Sequence, residues 1–91
     1  MSEWTPETAE AVAREAGIGP LTPEHWTVLA LCREDAARRG FAPCLRRLAE
    51  ITGLREARVG QLFPGSPASL VARIAGLEPP PDRLPDQQGR L

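Results

Sequence analysis

The stretch Leu62-Phe63-Pro64-Gly65-Ser66-Pro67-Ala68-Ser69-Leu70-Val71-Ala72-Arg73-Ile74-Ala75-Gly76-Leu77 decides how the chain is read. Leu62 and Phe63 form an apolar anchor, and Pro64-Gly65 is a turn pair. Pro67 suits the first position of a helix, where the missing N–H costs nothing, and Gly76 closes the helix it opens. Leu70 and Ile74 lie four residues apart and share its inward face. The segment therefore predicts an anchor, a turn and a short helix, a structural element rather than a phosphate loop. No glycine-rich nucleotide motif is present.

Upstream, the punctuation is helical throughout. Thr5-Pro6-Glu7 supplies an N-cap, a first-position proline and a first-turn acid, predicting a helix over about 6–16 that Gly17 stops. Thr22-Pro23-Glu24 repeats the device and predicts the longest helix, to Arg39, with Arg38 and Arg39 at the negative end of its dipole and Gly40 beyond. Pro43 is expected to open a third helix ending at Gly53, and 55–62 reads as a short fourth. Convincing period-2 alternation is absent. The expected fold is all-α, a small orthogonal bundle of about five helices over 1–76, with a core of Trp26, Leu29, Leu48, Ile51, Leu54, Val59, Leu62, Phe63, Leu70 and Ile74. Past Gly76, Pro79, Pro80, Pro81 and Pro85 forbid helix and little remains to bury, so 77–91 is expected to be a flexible, proline-rich arm.

Composition excludes several functions. Ninety-one residues make one domain. No run approaches the roughly 20 apolar residues of a membrane span, and the acidic N-terminus lacks the order of a secretory signal, so a cytoplasmic protein with no membrane partner is expected. Cys32 and Cys44 are too few for a disulfide scaffold, and with His25 the sole histidine no metal site or cofactor is implied. The net charge is −1, yet residues 25–76 hold eight arginines against four acids, and every cation is arginine. A basic face is possible there, short of the charge of a dedicated DNA binder.

Three local features have chemistry to weigh. Leu48-Ala49, Gly53-Leu54, Val59 and Leu62 sit at the offsets of a helix-turn-helix: Ala49 permits close approach, Gly53 turns, and Val59 and Leu62 face inward. On that reading Arg55, Glu56, Arg58 and Gln61 face DNA, with Arg46, Arg47 and Arg73 near phosphates. The alternative is a helical corner that packs the same way and touches no DNA. Cys32 lies at helical spacing on an apolar face and is expected to be a buried, inert thiol. Cys44 follows Pro43, where a helix N-terminus with Arg46 and Arg47 nearby would favour a thiolate, making it the residue to accept sulfur if any does. His25 is expected to be a surface or capping residue and Trp26 core; no nucleophile or carboxylate pair completes a catalytic constellation, so no small-molecule substrate is identified.

Read with Leu21-Thr22-Pro23-Glu24-His25-Trp26 and Phe41-Ala42-Pro43, the 62–77 segment resembles the DsrC/TusE family of sulfur-relay proteins. Three motifs in the right order carry the resemblance across most of 4–84. It implies a helical scaffold and a C-terminal arm whose penultimate cysteine carries sulfur as a persulfide or joins a trisulfide with a second cysteine upstream. Laid on Ile74-Ala75-Gly76-Leu77, the family pattern puts those cysteines at Arg83 and Ala72, so neither position holds sulfur. The chain also continues to Leu91, begins near Trp4 without the N-terminal hairpin that the resemblance implies, and is several residues shorter between Leu48 and Leu62. A non-catalytic binding or regulatory member is expected, docking on a sulfite-reductase-like or sulfur-transfer complex through Leu62, Phe63, Pro64, Gly65, Arg73, Arg83 and Leu84. A carrier that uses Cys44 and a helix-turn-helix regulator are the alternatives.

Overall fold

The two Thr-Pro-Glu sequences begin helices as their chemistry requires. In the computed structural model, which describes residues 4–80, Thr5 caps α1 (Pro6–Glu15), its Oγ1 accepting the Thr8 N–H at 3.1 Å. Thr22 caps α2 (Pro23–Arg39), and Gly40, at φ 91°, ends it in the left-handed conformation that glycine adopts without penalty. Next come α3 (Leu45–Thr52), α4 (Glu56–Leu62) and α5 (Pro67–Ile74), with no strand among the described residues.

Helix α3 begins two residues later than Pro43 suggests. Pro43 is fully buried, so its ring packs into the interior instead of opening the helix, and Cys44 becomes the N-cap. Likewise Arg55 is the N-cap of α4 and lies outside the helix proper. Gly53 at φ 76° turns the chain between α3 and α4, and these two short helices pack directly on one another.

Helix α5 is the centre of the assembly and packs against each of the other four helices. Its sequence explains this position: Leu70, Val71, Ala72 and Ile74 are all buried, so apolar surface faces outward in nearly every direction from the axis. Around it close Ala9 and Ala13 of α1, Val28, Leu29 and Cys32 of α2, Leu48 of α3, and Val59 and Leu62 of α4, with Phe63. The small side chains of α1 allow close approach to α5. Trp26, Ile51 and Leu54, expected within the core, are half-buried and pack on its rim.

One charge enters this interior. Asp35 of α2 is 4% exposed, and Arg47 of α3 meets it with two hydrogen bonds from Nη2 and Nε, at 2.8 and 3.2 Å to Oδ1. Arg39 approaches Oδ2 at 3.5 Å. A buried carboxylate is tolerable only when so paired, and here the pair ties α3 to α2. The Arg47 hydrogen bond, above all, holds the Asp35 carboxyl below the usual carboxylate range. The arm expected over 77–91 enters the described structure only through Leu77–Pro80.

Candidate functional site

The turn after α4 is built from beneath by a histidine. His25, at the third position of α2, completes a reciprocal cap: its N–H donates to Thr22 Oγ1 at 3.3 Å, and its Nδ1 accepts the Thr22 N–H at 3.0 Å. With Nδ1 occupied as an acceptor, Nε2 carries the hydrogen and donates it to the Leu62 carbonyl oxygen at 2.9 Å. The ring also stands edge-on to Phe63, centroids 5.1 Å apart. His25 is therefore a buried link between α2 and the turn rather than a surface group. The capping role was readable from Thr22-Pro23-Glu24-His25; the second bond crosses 37 residues and has no local signal.

Phe63 is fully buried and Leu62 nearly so, which removes both from the expected docking face and makes them its support. Pro64 and Gly65 are exposed above them, Gly65 at φ 100°. From this knuckle α5 runs inward. Ala72 has no exposed surface at all, while Arg73 faces solvent. At the far end Gly76 takes φ 79°, its N–H donating to the Arg73 carbonyl at 3.1 Å and the Leu77 N–H to that of Ala72 at 2.8 Å, which closes the helix with a Schellman pair. A groove of about 750 Å³ is lined by Leu77, Glu78 and Pro79 together with Arg33, Phe41 and Ala42. Arg83 and Leu84 lie outside the described residues.

The two thiols differ sharply. Cys32 is buried, and burial first, with the Asp35 charge second, pushes its thiol up to about 12. Such a thiol stays protonated and unreactive at neutral pH. Cys44 is exposed at the N-cap of α3, ahead of the first turn rather than within it, and makes no side-chain capping hydrogen bond.

The arginines expected to face DNA do not act as a set. Arg47 is held by Asp35, and Arg58 reaches back to α2, its Nε and Nη2 forming a forked pair with Glu24, Nε at 3.0 Å. Arg58 Nη1 also donates to Gln61 Oε1 at 3.1 Å. These contacts pair both guanidinium groups with acids of the same chain, Arg58 at the exposed surface, and the Arg58 bond holds Glu24 below its ordinary value. Arg46, Arg55 and Arg73 are exposed. Among the described residues no group of acids, cysteines and histidines is arranged to hold a metal, and no helix is long and apolar enough to cross a membrane.

The scaffold, with its buried anchor, exposed turn and central helix, has counterparts among known proteins. Residues 1–83 match the family described as DsrC like protein. The chain belongs to the DsrC-like family. It is 32% identical over 80 residues to the dissimilatory-type sulfite reductase gamma subunit of Nitratidesulfovibrio vulgaris, covering 88% of this chain and 76% of that protein. It is 30% identical over 86 residues to the sulfurtransferase TusE of Escherichia coli strain K12, covering 87% and 78%. Among solved structures it is similar to a chain in the crystal structure of dissimilatory sulfite reductase I (DsrI), with a TM-score of 0.78 and 27% identity over 89% of this chain and 78% of that one. This DsrC-like chain thus shares its helical scaffold with proteins of sulfur metabolism and sulfur relay.

Proposed function

We propose that this DsrC-like protein is a binding or regulatory member of a sulfur-transfer or sulfite-reductase-type complex, one that docks where a sulfur carrier docks without carrying sulfur on its own C-terminal segment. Ala72 carries the reading. At the place where the resemblance to the DsrC/TusE pattern puts one cysteine there is a methyl group with no solvent access, and Arg83 stands where the pattern puts the other. A methyl group cannot hold a sulfane sulfur, and a guanidinium replaces a nucleophile with a fixed positive charge. The docking elements are the exposed Pro64-Gly65 knuckle, Arg73 and the segment beyond Gly76 with Arg83 and Leu84; Leu62 and Phe63 hold the knuckle from below.

Competition tests this directly. Labelled gamma subunit bound to the dissimilatory sulfite reductase of Nitratidesulfovibrio vulgaris should be displaced by rising concentrations of this protein. Arg73→Glu should weaken displacement by about tenfold, as reversal of an interfacial charge does. Failure to displace the gamma subunit, with a parallel failure against TusE on its own sulfur-donor complex, would sink the proposal.

One observation favours a second reading, a carrier that has moved its thiol. Cys44 is exposed at the start of α3, where a sulfur donor can reach it, whereas Cys32 is buried. Incubation with a persulfide donor and measurement of intact mass separates the two. The carrier predicts one added sulfur that survives Cys32→Ser and disappears in Cys44→Ser. The binding module predicts no stable adduct in any of the three proteins.

A further inference from the structure

The C-terminal end of α5 is gripped by two side chains from distant parts of the sequence. Trp4 Nε1 donates to the Ile74 carbonyl at 2.7 Å, across 70 residues, and Arg33 Nη1 donates to the Ala75 carbonyl at 2.6 Å, across 42. The last carbonyls of a helix have no partner within it, so these two bonds satisfy groups that would otherwise need water. The grips are joined to each other, since the Arg33 guanidinium lies 4.2 Å from the centre of the Trp4 ring. The fit is close. A Cβ at Gly76 would come within 2.6 Å of Trp4 Cδ1 and 3.1 Å of Cγ, so the indole presses on bare backbone.

This grip stands where α5 ends and the Leu77–Pro80 segment begins. The residues that follow, Leu77, Glu78 and Pro79, line the 750 Å³ groove together with Arg33, Phe41 and Ala42. Arg33 therefore touches both the end of α5 and the channel along which the next three residues run. We propose that Trp4 and Arg33 are positioning residues that hold the carbonyls of Ile74 and its C-cap Ala75 and so set the direction in which the chain runs on from α5.

The physical reason is geometric. A helix end held only by its own Schellman pair frays, and the exit direction of the following chain varies with it. Two lateral hydrogen bonds to carbonyls 74 and 75 resist that fraying from outside the helix. The arrangement also couples the two ends of the chain, because moving Trp4 releases carbonyl 74 and removes the platform under Arg33. This inference rests on the reading of the C-terminal segment as the docking element, but its test needs no partner.

A nitroxide on Glu78→Cys in a Cys44→Ser background reads the exit direction. Cys32 is buried and its raised thiol escapes labelling. In the parent protein the label should suppress the amide signals of Phe41 and Ala42, which line the same groove. In Arg33→Gln and in Trp4→Phe, which keeps an aromatic ring but loses the N–H, those signals should recover. In the same variants the Leu77 amide should exchange with solvent about tenfold faster, while that of Leu29 in the core is unchanged. Arg33→Lys, keeping a cation and a donor, should lie between. Unchanged Phe41 and Ala42 signals together with unchanged Leu77 exchange would overturn the proposal, even if the unfolding temperature fell. Should Arg33→Gln fail to fold, Trp4→Phe and Arg33→Lys decide the matter by the same two readings. A positive result here with no displacement of the gamma subunit would retain the positioning role and reject the docking site.

Discussion

Phe63→Ala should cost this protein about 3–4 kcal/mol of folding stability, the range for deleting a large aromatic from a packed core. The ring has no exposed surface and sits edge-on to His25, so its loss removes both burial and an aromatic contact, and leaves a cavity beneath the Pro64-Gly65 knuckle. A domain of this size has only some 4–12 kcal/mol to lose, so the variant should stand near the edge of folding. Its thermal midpoint should fall by roughly 12 °C or more. Phe63→Leu, which refills most of the volume, should cost about 1–1.5 kcal/mol. Urea titration of the three proteins checks the series. A loss below about 1 kcal/mol in Phe63→Ala would mean that the knuckle closes over the gap and is not anchored by this ring. The consequence for function follows from position: the proposed docking turn stands on a side chain that no partner can touch.

That division between what touches and what supports was only partly legible in the sequence. The helices were readable because their signals are local: Thr5 and Thr22 cap within three residues, and Gly40, Gly53 and Gly76 adopt the left-handed ends that their lack of Cβ permits. The family, too, was readable from three short motifs. Pro43 misled, because a proline before a helix can open it or pack beneath it, and the choice depends on the interior it meets. The support of the site was illegible for one reason: His25 to Leu62, Trp4 to Ile74 and Arg33 to Ala75 join residues 37, 70 and 42 positions apart. No periodicity encodes such pairs. The same holds for charge, since nothing local pairs Arg47 with Asp35 or the exposed Arg58 with Glu24, partners 12 and 34 positions away.

Asp35 turns this hidden pairing into a pH dependence. Asp35→Ala at neutral pH should cost about 2 kcal/mol, below the roughly 3–5 kcal/mol for breaking a fully buried pair, because Arg47 and Arg39 remain 38% and 34% exposed and can be rehydrated once the carboxylate is gone. Asp35→Asn, which retains a hydrogen-bond acceptor, should cost about half as much. The Arg47 hydrogen bond depresses the folded-state pKa of Asp35 below its ordinary 3.8. Between the folded and unfolded values the unfolded chain therefore binds more protons, and stability rises with pH. The contribution is complete above about pH 4–5 and is lost as the pH falls through the folded value. Unfolding free energies of the parent and of Asp35→Asn should accordingly differ by a constant amount above about pH 5 and converge as the pH falls below 3.8 and through the folded value. A constant gap between them across that range would mean that the carboxylate contributes by shape and hydrogen bonding alone, with no stabilisation from its charge. Convergence would identify the Asp35–Arg47 pair at the α2–α3 junction as a source of the fold's acid sensitivity, through the charge of its carboxylate.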